Sequence, residues 1–245
     1  MEELSLSKLK QFAALRERKT RLEQQLYLAE GRKLVAEALT QPRQPEAIVV
    51  EEGVDWQPFT QPNCPVYRVR KGHFARLTDQ ASPEGVMAVM ALPAVPQQLP
   101  VVGPAFVLAG IQDPGNVGTL LRIADWFGLK AVYAGPGTAD AFAPKVVRAS
   151  MGALFRVPVY SVANLPEWLA GQAHRSYAAT LGGQPLPEGG LPADAWILLG
   201  NESQGLGPEL LRIPGLQTVS IPRRGRAESL NVAVAGGILA HALKG

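Results

Sequence analysis

Apolar residues recur at three- and four-residue spacing in two N-terminal stretches, LSKLKQFAALRER (6–18) and LAEGRKLVAEAL (28–39). This spacing predicts two amphipathic helices. Three short apolar runs, EAIVVEE, VYRVRK and GVMAVMAL, predict strands that follow these helices. Together the elements predict a small α/β domain that ends near residue 92.

Residues 93–105 break this pattern, because they carry four prolines, no charge and little periodicity. Such a composition is typical of a linker, so the predicted domains are residues 1–92 and residues 106–245. Apolar runs alternate with helical patterns in the second domain: AFVLAG, AVYAG, FRVPVYSV, SYAATLGG, WILLGNE and TVSIP. This alternation predicts an α/β fold with a mostly parallel sheet and helices on both faces.

The composition, 47% hydrophobic and 18% charged over 245 residues, is that of a globular protein. No apolar run reaches the length of about 18 residues that a membrane span needs, and the N-terminus lacks the apolar core of a secretory signal. Cys64 is the single cysteine, which excludes an internal disulfide. The three histidines are scattered along the sequence and do not indicate a metal site. A reducing cytoplasm is the expected compartment.

The formal net charge of +3 is a weak indication of a nucleic-acid partner, but the basic residues are clustered. We interpret two clusters as candidate RNA-binding residues, although solvated basic faces explain any single cluster equally well. The candidates are Arg16, Arg18, Lys19, Arg21, Arg32 and Lys33 near the N-terminus, and Arg224 and Arg226 in a short C-terminal loop.

The segment PGNVGTLLRIADWFG (114–128) follows a predicted strand and predicts a helix with Asn116 as its N-cap. At 100° per residue, Gly118, Arg122 and Asp125 lie opposite the apolar face. A glycine in the first turn costs about 1 kcal/mol relative to alanine, so we expect Gly118 to clear space beneath Arg122. The alternative is a capped helix with a solvated arginine.

Two later segments also place polar residues after strands, where open α/β sheets bind ligands. LLGNESQGLGPELL carries Glu202, and IPRRGRAESLNVAVAGGILAHAL carries Ser229 as a predicted helix cap. Residues 230–243 are apolar on nearly every face, which predicts a helix buried on all sides. We expect close backbone packing at Gly236 and Gly237. The helix lies either against a partner subunit or deep in a monomer core.

These three segments, in this order, resemble the three motifs of the SpoU (TrmH-like) family of RNA ribose 2′-O-methyltransferases, in the SPOUT superfamily. ASMGALFRVPV also resembles the family, and the N-terminal region resembles the ribosomal-protein-like substrate-binding domain of its rRNA-directed members. The resemblance implies a trefoil knot in the second domain, bound S-adenosylmethionine and a homodimer formed through the knotted region.

The resemblance also implies roles for individual residues. The residues that match the functional positions of the three motifs are Asn116, Arg122, Glu202, Ser229 and Asn231. The residues that match cofactor-binding positions are Thr180, Leu181, Gly182, Leu199, Gly200, Ile221 and Leu230. Ser203, where glycine is frequent, and the basic third loop depart from the family pattern without affecting these roles.

The expected reaction transfers the methyl group of S-adenosylmethionine to a ribose 2′-hydroxyl of RNA, with rRNA as the expected substrate. Because arginine keeps its proton, we interpret Arg122 as a fixed cation that stabilises developing negative charge on the oxygen. The sequence leaves open whether the hydroxyl proton leaves through an RNA phosphate or through water. Methylation of tRNA ribose and a non-catalytic RNA-binding assembly factor are the alternatives. The sequence does not indicate a dinucleotide-dependent enzyme, because no G-x-G-x-x-G fingerprint follows the first strand of the second domain.

Overall fold

The computed structural model of the chain describes residues 1–57, 62–172 and 174–244. The helices are α1 (Leu6–Ala14), α2 (Arg18–Gln24), α3 (Arg32–Ala38), α4 (Pro114–Trp126), α5 (Pro144–Ser150), α6 (Leu165–Ala170), α7 (Pro208–Leu211) and α8 (Val232–His241). The strands are β1 (Glu2–Glu3), β2 (Leu26–Glu30), β3 (Ala47–Glu51), β4 (Val66–Val69), β5 (Val86–Ala91), β6 (Ala105–Ala109), β7 (Ala131–Ala134), β8 (Val159–Ser161), β9 (Ser176–Pro185), β10 (Trp196–Gly200) and β11 (Gln217–Ser220). None of the helices in these ranges has the length and apolar character needed to cross a bilayer.

The chain forms two compact units. The first comprises Met1–Ala94 together with Asp140–Phe155, and it contains a five-stranded sheet in the order β1-β4-β3-β5-β2. The strands predicted at EAIVVEE, VYRVRK and GVMAVMAL are present as β3, β4 and β5. Helix α5, which lies within the predicted second domain, belongs to this unit.

The prediction of one helix over residues 28–39 is wrong at its N-terminal end. Leu26–Glu30 form strand β2, which pairs antiparallel with β5, and the helix begins only at Arg32. Gly31 lies between them with φ +110°, a conformation that suits glycine and separates strand from helix. The apolar spacing of LYLAE fits both structures, so sheet pairing decided which one formed.

The second unit comprises Val95–Ala139 and Arg156–Gly245, of which Gly245 lies outside the described residues. Its six-stranded sheet has the order β11-β9-β10-β6-β7-β8, and every neighbouring pair is parallel. Helices flank this sheet, and its core contains fully buried side chains of β6, β7 and β10. The predicted parallel α/β architecture is confirmed.

Helix α4 begins earlier than predicted. Asp113 is its N-cap and accepts a hydrogen bond from the backbone N–H of Asn116, while Pro114 occupies the first turn. Asn116 therefore lies inside the helix, and its side chain is available for other contacts. Gly118 is buried, so the expectation that it clears an open space beneath the exposed Arg122 is wrong.

Helix α8 begins at Val232 and is capped by Asn231, whose Oδ1 accepts from the N–H groups of Ala233 and Val234, so the predicted cap at Ser229 is wrong. The expectation that the helix is buried on all sides also fails within one chain, because Val234 and Ile238 are exposed.

The two glycines of α8 pack against side chains and not against a backbone. A Cβ on Gly236 would lie 2.5 Å from Leu120 Cδ2, and one on Gly237 would lie 3.6 Å from Ile123 Cδ1. They allow α8 to approach α4 closely, which differs from the predicted backbone contact.

An aromatic group, which we call the linker anchor, holds residues 99–104 against the second unit. It consists of Tyr133, Trp168, His174 and Trp196. Trp196 is fully buried between a parallel Trp168 ring at 5.1 Å and a His174 ring at 4.4 Å. Its Nε1 donates to the carbonyl of Val102 at 2.7 Å, and the Tyr133 hydroxyl donates to the carbonyl of Pro100 at 2.6 Å.

Candidate active site

The polar segments predicted from the sequence follow strands that run side by side. Strands β11, β9, β10 and β6 are consecutive in the sheet and all parallel. The carboxyl ends of parallel strands meet at one edge, so the segments that follow them are brought together there. This edge is the candidate active site.

Three predicted residues from three different segments form a hydrogen-bonded chain, which we call the clamp. Nδ2 of Asn231 donates to Oδ1 of Asn116 at 3.0 Å, and Nδ2 of Asn116 donates to Oε1 of Glu202 at 3.0 Å. The clamp therefore joins the N-terminus of α8, the first turn of α4 and the loop after β10. Residues that are 115 positions apart in sequence are in direct contact.

The direction of these hydrogen bonds is determined at the N-terminus of α8. Because Oδ1 of Asn231 accepts two backbone N–H groups, its Nδ2 is the group that faces Asn116. Asn116 must then present Oδ1 to Asn231 and Nδ2 to Glu202. The capping bond of one helix thus sets the orientation of an amide on another, and Glu202 is required to accept.

The clamp keeps the Glu202 carboxyl ionised. Partial burial raises its pKa, but hydrogen bonds from the Asn116 side chain and from the backbone N–H groups of Gln112 and Asp113 outweigh burial. The net result is a pKa below the ordinary glutamate value. A carboxylate in this state is an acceptor at neutral pH and does not donate a proton.

Arg122 lies six residues beyond Asn116 on α4, about 9 Å along the helix axis. It is exposed, and no ion pair or hydrogen bond to it is found within the described ranges. Asp125, predicted on the same polar face, is instead held in a forked ion pair by Arg156, with a shortest distance of 2.7 Å. The guanidinium of Arg122 is therefore free to meet an external anion.

Ser229 and Leu230 lie in the exposed segment that leads into the N-cap Asn231. Ser229 makes no hydrogen bond with the described part of the chain, so the structure does not include it in the clamp. Leu230 is 48% exposed and leaves an apolar surface beside the clamp.

The cofactor-binding residues predicted in β9 lie where the strand leaves its ladder. Ala178 pairs with Thr218 of β11, but the next residue of β11, Val219, pairs with Gln184. Residues 179–183 are thus looped out, and they also lie beyond the pairing of β9 with β10. This loop contains Thr180, Leu181 and Gly182, and Leu181 is 81% exposed.

Glycines shape the neighbouring segments. A Cβ on Gly200 would lie 2.4 Å from the backbone of Gly205, and a Cβ on Gly183 would lie 2.8 Å from the backbone of Val219. Gly182 has open space at the same position. Backbone segments therefore pack closely at Gly200 and Gly183, while the loop of residues 179–183 has open space at Gly182. The predicted cofactor residues Leu199 and Ile221 lie at the ends of β10 and β11, where Leu199 is buried and Ile221 is half-buried.

This surface fits S-adenosylmethionine. Its looped-out backbone offers N–H and C=O groups for a planar base, while Leu181 and Leu230 offer exposed apolar surface for the adenosine. The described residues contain no cluster of histidine, cysteine and carboxylate groups suited to a metal ion.

Seven of the eight predicted RNA-binding residues are exposed, and Arg21 is not. Arg21 is 3% exposed, and its guanidinium donates to the carbonyls of Leu15 and Arg16 and pairs with Asp140 at 2.5 Å. Arg21 therefore holds the first unit together, and its predicted role in RNA binding is wrong because its guanidinium is buried. The exposed residues are Arg16, Arg18, Lys19, Arg32, Lys33, Arg224 and Arg226.

The backbone N–H groups of Gln112 and Asp113 belong to the site and were missed from the sequence. They face the Glu202 carboxylate at 3.3 and 3.4 Å. A signal was available, because Asp113 followed by Pro114 is a typical start of a helix. Placing the cap at Asp113 would have released the Asn116 side chain for the clamp.

Both predicted domains of the chain match known protein families. The family model for the SpoU rRNA methylases matches residues 104–241, and the model for the MRM3-like substrate binding domain matches residues 7–88. The 23S rRNA (guanosine(2553)-2′-O)-methyltransferase RlmP of Bacillus subtilis is 33% identical over 249 residues, which cover 100% of this chain and 99% of that protein.

Two solved structures share the fold over nearly their full length. A TrmH-family protein from Porphyromonas gingivalis is 40% identical with a TM-score of 0.86, over 98% of this chain and 97% of that one. The AdoMet-bound rRNA methyltransferase of Sinorhizobium meliloti is 29% identical with a TM-score of 0.81, over 99% and 96%. The chain therefore belongs to the SpoU rRNA methylase family.

Proposed function

We propose that this protein transfers the methyl group of S-adenosylmethionine to a ribose 2′-hydroxyl of ribosomal RNA. The observation that carries the proposal is the clamp, which joins the three motif segments at one edge of the sheet beside an exposed, unpaired Arg122. Full-length similarity to an rRNA 2′-O-methyltransferase and to an AdoMet-bound relative supports the same reaction.

The cofactor binds along the carboxyl edge formed by β9, β10 and β11. The loop residues Thr180, Leu181 and Gly182, together with Leu199, Gly200, Ile221 and Leu230, hold it through backbone groups and apolar surface. When bound, S-adenosylmethionine supplies an activated methyl group on a sulfonium, so the protein has mainly to position the acceptor.

Arg122 acts on the acceptor. Its free guanidinium stabilises negative charge that develops on the ribose oxygen and binds the adjoining phosphate. The ionised Glu202 and the two asparagines do not act as the base that removes the hydroxyl proton, because their polar atoms are hydrogen-bonded to one another in the clamp. They align the first turn of α4, the helix that carries Arg122. Ser229 is exposed two residues before Asn231, so its hydroxyl is available to the substrate.

Residues 1–92 serve as the substrate-binding domain, residues 93–105 as the linker and residues 106–245 as the methyltransferase domain. The match of residues 7–88 to a substrate-binding domain supports this division. The exposed basic residues of both parts bind RNA phosphates, which orient the RNA and carry little sequence information. A cytoplasmic location agrees with ribosomal RNA as the substrate.

The protein forms a homodimer through the methyltransferase domain, with the C-terminal segment threaded into a trefoil knot. Two exposed apolar side chains on α8, Val234 and Ile238, support a second copy of the chain as the partner. We expect Ile238→Glu to convert the dimer to a monomer in sedimentation velocity, whereas Leu211→Glu, an equally exposed leucine on α7, leaves it intact. A monomeric wild-type protein would contradict the dimer.

The decisive experiment incubates the purified protein with methyl-labelled S-adenosylmethionine and with rRNA or tRNA from cells that lack the gene. Ribose methylation blocks alkaline cleavage of the following phosphodiester bond, so the modified position is mapped by sequencing the fragments. We expect label in rRNA at a single 2′-oxygen. Label confined to tRNA would replace rRNA by tRNA as substrate, and tight RNA binding without transfer would indicate an assembly factor.

A further inference from the structure

Gly110, the residue directly after strand β6, is held from two sides by side chains that the proposed mechanism does not use. Its N–H donates to Oγ1 of Thr138 at 3.1 Å, and its carbonyl accepts from Nδ2 of Asn201 at 2.8 Å. Gly110 has φ +78°, a left-handed conformation that ends the strand and turns the chain toward α4.

Both holding side chains have a determined orientation. The Thr138 hydroxyl donates its single hydrogen to the carbonyl of Leu108 at 3.1 Å, so only its lone pairs face Gly110. Asn201 accepts the N–H groups of Ser203 and Gln204 with Oδ1, so its Nδ2 must point the other way, to Gly110. Neither side chain can reverse without losing these bonds.

The turn at Gly110 leads directly to the clamp. The next residue, Ile111, accepts the N–H of Ala139 at 2.8 Å, so residues 138–139 brace two successive positions of the turn. Gln112 and Asp113 then present their N–H groups to Glu202. The direction of these two N–H groups depends on the peptide planes that begin at Gly110.

We propose that Thr138 and Asn201 are positioning residues for methyl transfer. They hold the Gly110 turn so that the N–H groups of Gln112 and Asp113 orient Glu202. Glu202 in turn accepts from Nδ2 of Asn116, whose amide direction Asn231 sets, and so holds the first turn of α4 in place. The proposal rests on the proposed function for its kinetic part, and its structural part can be tested without turnover.

The test uses Thr138→Val, which preserves side-chain shape and removes the hydroxyl, with Thr138→Ser as the matched control that restores it. We expect Thr138→Val to lower kcat for RNA methylation about tenfold. The Kd for S-adenosylmethionine stays within about twofold, because the braced turn lies outside the proposed cofactor surface. Thr138→Ser returns kcat to near the wild-type value.

A second measurement does not require activity. Amide hydrogen exchange, followed by NMR, reports whether the Gln112 and Asp113 N–H groups remain hydrogen-bonded. We expect faster exchange at both in Thr138→Val and unchanged exchange in Thr138→Ser. Asn201→Asp is the second variant, because it keeps the acceptor for Ser203 and loses the donor to Gly110; it should also accelerate exchange.

Unchanged kcat in Thr138→Val, or a loss that Thr138→Ser does not restore, would overturn the proposal. So would a loss of kcat matched by an equal loss of cofactor affinity, which indicates general damage to the fold. If the wild-type protein transfers no methyl group, the proposed function fails separately. Unchanged exchange at Gln112 and Asp113 would then still refute the positioning role.

Discussion

The two ends of the six-stranded sheet are built from the same strands and differ in almost every physical respect. Trp196, the first residue of β10, is fully buried between flat rings in the linker anchor. Glu202, two residues beyond the last residue of β10, is exposed and held only by hydrogen bonds. One end obtains its rigidity from close packing and the other from directed polar contacts.

We expect the aromatic end of the sheet to contribute to the free energy of unfolding and the polar end to contribute to the reaction. The buried Trp196 and Tyr133 direct their N–H and O–H groups to carbonyls of residues 100–102, so these side chains hold the chain in place. The clamp orients groups while leaving Arg122 open to an anion. Substitutions at the two ends should therefore affect different measured quantities.

The largest expected effect is at the polar end. Arg122→Ala removes the free cation and should lower kcat for RNA methylation by about a thousandfold, because a preorganised charge at the reacting oxygen is lost. Cofactor affinity, measured by calorimetry, should stay within about twofold of wild type. Arg122→Lys keeps the charge without the planar fork and should recover part of the rate. Full activity in Arg122→Ala would contradict its role.

The next effect is at the aromatic end. Trp196→Phe leaves a cavity between two rings and an unpaired Val102 carbonyl, so the free energy of unfolding should fall by about 2 kcal/mol. Chemical denaturation measures this change, and kcat per folded molecule at 25 °C should not move. Tyr133→Phe, which loses only the hydroxyl contacts, should cost about 1 kcal/mol. A tenfold drop in kcat with normal stability would remove the distinction between the two ends.

A single residue of the clamp tests both properties at once. Asn231→Asp retains an oxygen that caps α8 and loses the Nδ2 that donates to Asn116. Stability should be preserved, because aspartate caps helices as well as asparagine does, while kcat should fall about tenfold. Asn231→Ala should lose the same activity and also about 1 kcal/mol of stability. Equal kcat in the wild type and Asn231→Asp would show that the amide orientation is unimportant.

The smallest effect is the pH dependence of the clamp. The folded-state pKa of Glu202 lies below its unfolded-state value, so its contribution to stability is fully present above the ordinary glutamate pKa of about 4.3. The contribution is lost as pH falls through the lowered folded-state pKa. Because Glu202 is exposed, we expect no more than about 1 kcal/mol. Unfolding free energies of the wild type and Glu202→Gln between pH 3 and 7 measure it. A difference that grows as pH falls would contradict the sign.

Much of the candidate site was predicted because its residues lie in contiguous motifs that resemble those of a known family. Asn116, Glu202 and Asn231 were identified from three segments, and the structure joins them directly. The errors came where a local pattern fits two structures. Asn116 and Ser229 are both acceptable N-caps by residue type, and the helices instead begin at the neighbouring Asp113 and Asn231.

Burial was harder to predict than element type. Arg21 belongs to a basic run that resembles a solvated face, yet it is buried with acceptors at Leu15, Arg16 and Asp140. Asp140 is 119 positions away, so no local pattern indicates the pairing. The same limit applies to Gly118, whose helical angle suggested an open face and which is covered in the structure.

The sequence by itself determined the parallel α/β class of the second domain, because apolar periodicity is a local property, and its resemblance to the family motifs predicted the site residues. Only the tertiary structure decided which helix cap sets the amide directions, which arginine is free and which is buried, and that Thr138 and Asn201 hold the same glycine. The physical reason is that each of these depends on a contact between residues distant in sequence. Such contacts exist only after the parallel strands have aligned their carboxyl ends at one edge.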